Sequence, residues 1–279
     1  LERLQSYFPT TLAEWDRRER MSLTPDGHYD PRHEIPSPIH VINLARELNV
    51  GSILPAAFYD LARYGTSKTA GGTEPLPRLV LEVPSSENSP ASTSTSTGTS
   101  ESSSRIPPPS EASYASRFTS PMLVQDTTAV QLSHDDLVLT FRGREAMQRS
   151  VSTFLSSQVK NRVPAAGCTV PGSGQACRDA FYFITLNTLR AVGGIAAGRD
   201  GDPLFTLGQM IDMLHHTEWV DGQYLRGLPM CGKCRDEFIP AVHAGRQAIW
   251  DQIPAWFGLE PYDVLKARDD ELNERDMYP

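Results

Sequence analysis

Hydrophobic residues recur at three-and-four spacing over several separate stretches, which predicts a chain built from helices. Residues 1–20 place Leu1, Leu4, Tyr7 and Phe8 on one helical face; Pro9 breaks the run and it resumes from Thr10. Thr10-Thr11-Leu12-Ala13-Glu14 offers a hydroxyl cap with a glutamate three or four residues on, close to a capping box. Leu12, Trp15 and Met21 are expected to face inward. Pro25, Gly27, Pro31 and Pro36 mark 24–36 as a loop. Ser37-Pro38 then starts a helix, with the stripe Ile39, Ile42, Leu44 and Leu48 ending near Asn49. After Gly51-Ser52 a further helix is predicted from Ile53 to Tyr64, with Leu54, Ala57, Phe58 and Leu61 inward. The two make an αα-hairpin.

Helical spacing returns at Val130. Ser133 with Asp136 is a capping-box-like start, and Leu137, Leu139 and Phe141 lead into a second helix from Gly143 to about Arg162 carrying Met147, Val151, Phe154, Leu155 and Val159. Residues 164–175 read as a Gly/Pro loop, and 176–192 as a helix with Phe181, Ile184, Leu186 and Leu189 inward. Gly193 to Pro203 is loop; Leu204 to His216 is helix, with Leu207, Met210, Ile211 and Leu214; 217–230 is loop. Cys234 to Ile253 is helix, with Phe238, Val242, Ile249 and Trp250, closed by an aromatic turn at Pro254 to Gly258. The stretch 260–273 is a weak, charged helix. No strand ladder is expected, and the fold class is all-α.

Composition sets the domain organisation. Between 81 and 120, serine, threonine and proline supply 24 of 40 residues, too little apolar surface to offset the entropy of ordering. The expectation is a helical region at 1–65, a disordered linker at 66–127 with a short sticky piece at Leu76 to Val83, and a C-terminal helical domain at 128–279. A lone helical hairpin of this length is marginal. Leu54, Phe58 and Leu61 should therefore pack on helices after Val130. The chain opens on Leu1 inside a helical pattern, so a preceding segment is expected.

A net charge of −8 argues against wrapping a phosphate backbone. Much of that charge lies after Glu260, where seven acidic residues face three basic ones, a composition usual for a solvated helix. No run approaches the roughly 18 apolar residues of a membrane span. Nothing resembles a secretion signal, so an intracellular setting is expected, in which cysteines are thiols or metal ligands.

Cys231-Gly232-Lys233-Cys234 is a CxxC, and Cys168 and Cys177 form a wider pair across a Gly/Pro loop. Two helix openings repeat: Cys177-Arg178-Asp179-Ala180-Phe181 and Cys234-Arg235-Asp236-Glu237-Phe238. A helix N-terminus favours thiolate, and four thiolates at the feet of two helices would close a tetrahedral zinc site. Gly232 is expected to let the two CxxC sulfurs point the same way. Four indifferent thiols remain the alternative; a redox CxxC lacks the surrounding βαβ pattern. His215, His216 and His243 are rival ligands, of which an adjacent pair supplies one at most. No GxSxG, HExxH or phosphate-loop motif is present, and the glycines at 193, 194 and 198 follow a helix rather than a strand. His134-Asp135-Asp136 reads as a solvated first helical turn.

Several stretches resemble a large family from mushroom-forming fungi that carries an N-terminal BTB/POZ domain and a helical tail. They are Phe8 to Asp16 (FPTTLAEWD), Val41 to Glu47 (VINLARE), Leu54 to Leu61 (LPAAFYDL), Leu132 to Leu137 with Gly143-Arg144-Glu145, and the cysteine-containing helix starts. The resemblance implies that Leu1 to Tyr7 ends a BTB-proximal helix, with the BTB domain itself outside this sequence. It implies a protein–protein adaptor whose partner is a protein, in the extreme a ubiquitin-ligase scaffold reached through the BTB domain, with neither nucleic acid nor membrane as partner. The expectation is a non-enzymatic interaction module with a structural zinc at Cys168, Cys177, Cys231 and Cys234. The rivals are an enzyme with Cys231 or Cys234 as nucleophile, and a zinc-dependent nucleic-acid binder.

Overall fold

The computed structural model describes residues 2–32, 34–65, 69–73, 129–192, 198–215, 218–220, 223–225 and 227–277. Nine helices are present among them: α1 (Glu2–Tyr7), α2 (Leu12–Met21), α3 (Pro38–Glu47), α4 (Leu54–Ala62), α5 (His134–Phe154), α6 (Pro171–Val192), α7 (Pro203–His215), α8 (Gly232–Trp256) and α9 (Tyr262–Met277). A π-helical turn, Leu155–Val159, extends α5, and a 3-10 turn, Gly198–Gly201, precedes α7. Strands β1 (Glu218–Val220) and β2 (Gln223–Leu225) pair antiparallel within the stretch that reads as loop. Among the described residues no helix is long and apolar enough to cross a membrane. The predicted linker lies outside the described residues except for 69–73, and so does the piece Leu76 to Val83. That exception is placed: Thr69 is buried and Thr73 pairs with Val130.

Leu1–Glu74 and Ala129–Pro279 belong to one compact unit, so the helices before and after the long insertion share a core. At its centre is α4, all nine of whose residues are buried. A helix that is apolar all round is stable only when enclosed. Here α3, α5 and α8 pack around it. Phe58 stacks on Phe257 with ring centroids 5.3 Å apart. Tyr59 meets Trp15 edge-on, Trp15 meets Trp250, and Trp250 stacks on Tyr262, an aromatic chain linking α4, α2, α8 and α9. Asp269 on α9 accepts the backbone N–H groups of Gly51 at 2.8 Å and Ser52 at 2.9 Å, the donors that open α4.

The enclosed helix carries one acid, and that acid organises a buried ion cluster. Asp60 accepts from Arg18 at 2.6 Å and Arg32 at 2.8 Å, and pairs with Arg63 one turn along. Arg63 also reaches Glu19 at 2.9 Å and Asp202 at 3.0 Å. Arg18 closes the network on Glu19, so three guanidiniums face three carboxylates. Arg18 and Arg63 both lie over the Trp15 ring. Asp202 in turn accepts from the N–H of Leu204 and Phe205, capping α7. Burial pushes the Asp60 carboxyl up, but Arg18, Arg32 and Arg63 outweigh it and hold it well below the usual carboxylate range.

The capping predictions hold. Thr11 accepts from the Glu14 N–H at 3.4 Å and Ser133 from the Asp136 N–H at 3.1 Å. Other expectations change. Gly143 is not a helix boundary but lies inside an unbroken α5; a Cβ there would come 1.9 Å from the Phe257 ring. Its missing side chain makes the notch in which Phe257 sits. Met21, Leu44, Leu48, Leu186 and Leu189 are exposed rather than inward. Helix α6 starts at Pro171, earlier than the Gly/Pro loop suggests, and α8 runs through Pro254 to Trp256.

Gly143→Ala should cost about 2 kcal/mol or more despite alanine's better helix propensity, because the Phe257 ring must leave its notch. Chemical denaturation measures it, and an unchanged midpoint contradicts the packing account. Asp60→Asn should destabilise by roughly 3–5 kcal/mol at neutral pH, leaving buried guanidiniums short of an anion. Because the folded-state pKa of Asp60 is depressed, its contribution is present above the unfolded value of about 3.9 and is lost as pH falls below it. The gap between wild type and Asp60→Asn should therefore shrink below about pH 4. A gap constant down to about pH 2 contradicts the ion cluster's role.

Candidate metal centre

Three separate segments deliver four sulfurs to one point. Cys168 lies in the loop between the π turn and α6, in a short turn where its N–H donates to the Ala165 carbonyl at 3.0 Å. Cys177 is on α6 beyond Gly172 and Gly174, whose positive φ values of 69° and 76° make the opening turn irregular. Cys177 is therefore placed in the second turn, not at the first residue of its helix. Cys231 is the N-cap of α8, in extended backbone, and Cys234 is that helix's third residue.

The four ligand atoms all lie within 4.8 Å of one another. Cys168 Sγ is 3.7 Å from Cys177 Sγ and 3.7 Å from Cys231 Sγ. A disulfide requires about 2.05 Å. Four sulfurs on a tetrahedron of metal–sulfur length about 2.3 Å stand about 3.8 Å apart. The spacing is that of a metal-ligand set in free thiol form. Cys177 and Cys234 are buried, and Cys168 and Cys231 half-buried.

Backbone N–H groups converge on the same sulfurs. Ala165 donates to Cys234 Sγ at 3.3 Å, and Cys231 donates to Cys177 Sγ at 3.4 Å. The N–H groups of Cys234 and Thr169 pull the Cys231 thiol down to about 6. Burial pushes Cys234 up to about 12 and raises Cys177 as well, each opposed by one backbone donor. Thiols crowded this closely cannot all ionise without a cation. A central dication reverses that penalty, because it stabilises each thiolate directly.

The repeated Cys-Arg-Asp-x-Phe opening has a physical counterpart. Phe181 and Phe238, each one turn beyond its cysteine, meet edge-to-face at 5.3 Å. The Arg162 guanidinium lies over both rings, at 5.6 and 5.4 Å from their centroids. This contact locks α6 to α8 directly behind the sulfurs.

Two glycines exchange roles. Gly232, expected to aim the CxxC sulfurs, has open space where a Cβ would project. Gly174 is the constrained one: a Cβ there would meet Pro164 at 2.8 Å and the Cys168 sulfur at 3.1 Å. The sequence reading missed Gly174, and it missed the donors Ala165 and Thr169, whose contribution comes from the backbone and leaves no residue-type signal. Of the rival ligands, His215 and His243 are exposed and outside the sulfur cluster, and His216 lies outside the described residues.

Gly174→Ala should strain a left-handed backbone position and push Pro164 and Cys168 off the cluster. A loss of about 2–3 kcal/mol in thermal stability is expected, with weaker metal retention than in Gly232→Ala. Equal behaviour of the two variants in a melting and metal-retention comparison contradicts this assignment.

No protein-family model, curated protein or solved structure matches the chain. What the cluster does follows from its own geometry.

Proposed function

We propose that this chain is a non-enzymatic protein-interaction module whose C-terminal helices are stapled by one structural zinc ion, held by Cys168, Cys177, Cys231 and Cys234. The observation that carries this reading is the convergence of four sulfurs from three segments at tetrahedral spacing. A complete set of four protein ligands leaves no open position for substrate, which is the mark of structural rather than catalytic zinc. Four thiolates select zinc or iron–sulfur chemistry over harder ions, and a tetrahedron of this size suits a single zinc. The adaptor role extends the resemblance to BTB-type proteins, with a protein as partner.

A nucleophilic role for Cys231 or Cys234 needs a histidine within hydrogen-bond reach of the thiolate. The neighbours that perturb both sulfurs are backbone N–H groups and other cysteines. Nucleic-acid binding needs a basic face, and a net charge of −8 weighs against it.

Protein purified without chelator should contain about one zinc per chain by elemental analysis. Cys231→Ser should lose the zinc and unfold the C-terminal helices, since the binding free energy of such sites is on the order of 10 kcal/mol and counts as folding energy. Metal-free protein together with a Cys231→Ser variant that melts like wild type overturns the zinc staple. A Cys231→Ser variant that keeps its fold but loses a measurable turnover supports the enzyme reading instead.

A further inference from the structure

Helix α6 is apolar on two faces, and this chain covers one of them. Its inner face buries Ala180, Phe181, Ile184 and Thr188, with the Thr188 hydroxyl satisfied by the Ile184 carbonyl at 2.8 Å. Its outer face presents Tyr182, Phe183, Leu186 and Leu189, between 42% and 61% exposed. From Ala180 to Leu189 no residue is charged. A helix that is apolar all round is stable when enclosed, so the outer face calls for a cover.

The pattern says what shape covers it. Tyr182, Leu186 and Leu189 are spaced four and three residues apart, the seam that a second helix fills. Charge says which helix. A partner selected by electrostatics would be met by charged residues along the seam, and there are none between Ala180 and Leu189. Elsewhere the chain's excess of negative charge opposes the approach of another copy, and this stripe is the neutral exception. An uncharged stripe is also self-complementary, which a two-fold interface requires.

We propose that two copies of this chain pair through the outer face of α6, with the helices antiparallel about a two-fold axis near Ile184. In a parallel pair Asp179, one turn before Tyr182 in the same row, would face its own copy. In the antiparallel pair it lies beyond the apolar seam at the rim. The patch offers on the order of 400 Å² per copy, about half of what a standard stable interface buries on each side. The dimer is accordingly weak and reversible, dissociating in the range of about 10–100 μM. This names one partner for the binding reading without depending on the zinc, and zinc content recorded on each variant separates a lost fold from a lost interface.

Sedimentation of the full chain from about 5 to 500 μM tests the pairing. Wild type should shift from monomer toward dimer across that range. Leu186→Glu, and independently Tyr182→Glu, should weaken the dimer at least about tenfold while helicity and zinc content stay at wild-type values. Asp179→Asn should change the dissociation constant by less than about threefold if the helices are antiparallel; tightening of about tenfold or more overturns that orientation. Wild type that stays monomeric at the top concentration overturns the dimer, whether the face is then covered by another part of the same chain or by a different protein. So does a folded Leu186→Glu variant that dimerises as tightly as wild type.

Discussion

Three buried arginines and three carboxylates must stay paired for this fold to exist. Arg18 and Arg63 are fully buried, as is Asp60 between them, and none can be solvated without opening the core. Such clusters add little net stability over an apolar core, because desolvation consumes most of the Coulombic gain. Their consequence is geometric: a single misplaced element leaves a buried charge unmatched. Glu19 and Arg18 fix α2, Asp60 and Arg63 fix α4, and Asp202 fixes the start of α7 through its cap. The last of these lies on the far side of the long insertion in sequence. The network therefore ties the early helices to the late ones, and the aromatic chain through Trp15 and Trp250 follows the same path.

The sulfur cluster fixes the remaining elements by a different means. Helices α6 and α8 meet through the Phe181–Phe238 contact, and the loop holding Cys168 has little apolar surface of its own. A metal held by three segments supplies the constraint that packing does not. The same helix α6 then leaves an apolar row outward, which links the position of the staple to the surface from which interaction is argued.

Much of this was legible in the sequence, and the misses share a cause. Helix existence, both hydroxyl caps and the convergence of the cysteines follow from local spacing: the Thr11–Glu14 and Ser133–Asp136 pairs and the repeated Cys-Arg-Asp-x-Phe opening are short-range signals. What depends on a distant partner was not legible. Gly143 reads as a break because glycine is a poor helix former; it is inside a helix because Phe257, far along the chain, needs the space. Arg18, Asp60 and Arg63 look like solvent-side charges on short helices, and nothing local says that they meet. Leu186 and Leu189 fit a helical stripe, but spacing alone does not say whether the chain itself covers that stripe.

The central claim is that four thiolates around one ion hold the C-terminal helices in place. X-ray absorption at the zinc edge of the purified chain tests it most directly. The account predicts a shell of four sulfur scatterers at about 2.3 Å with no nitrogen or oxygen neighbour. An absent edge, or a first shell containing nitrogen or oxygen, contradicts it.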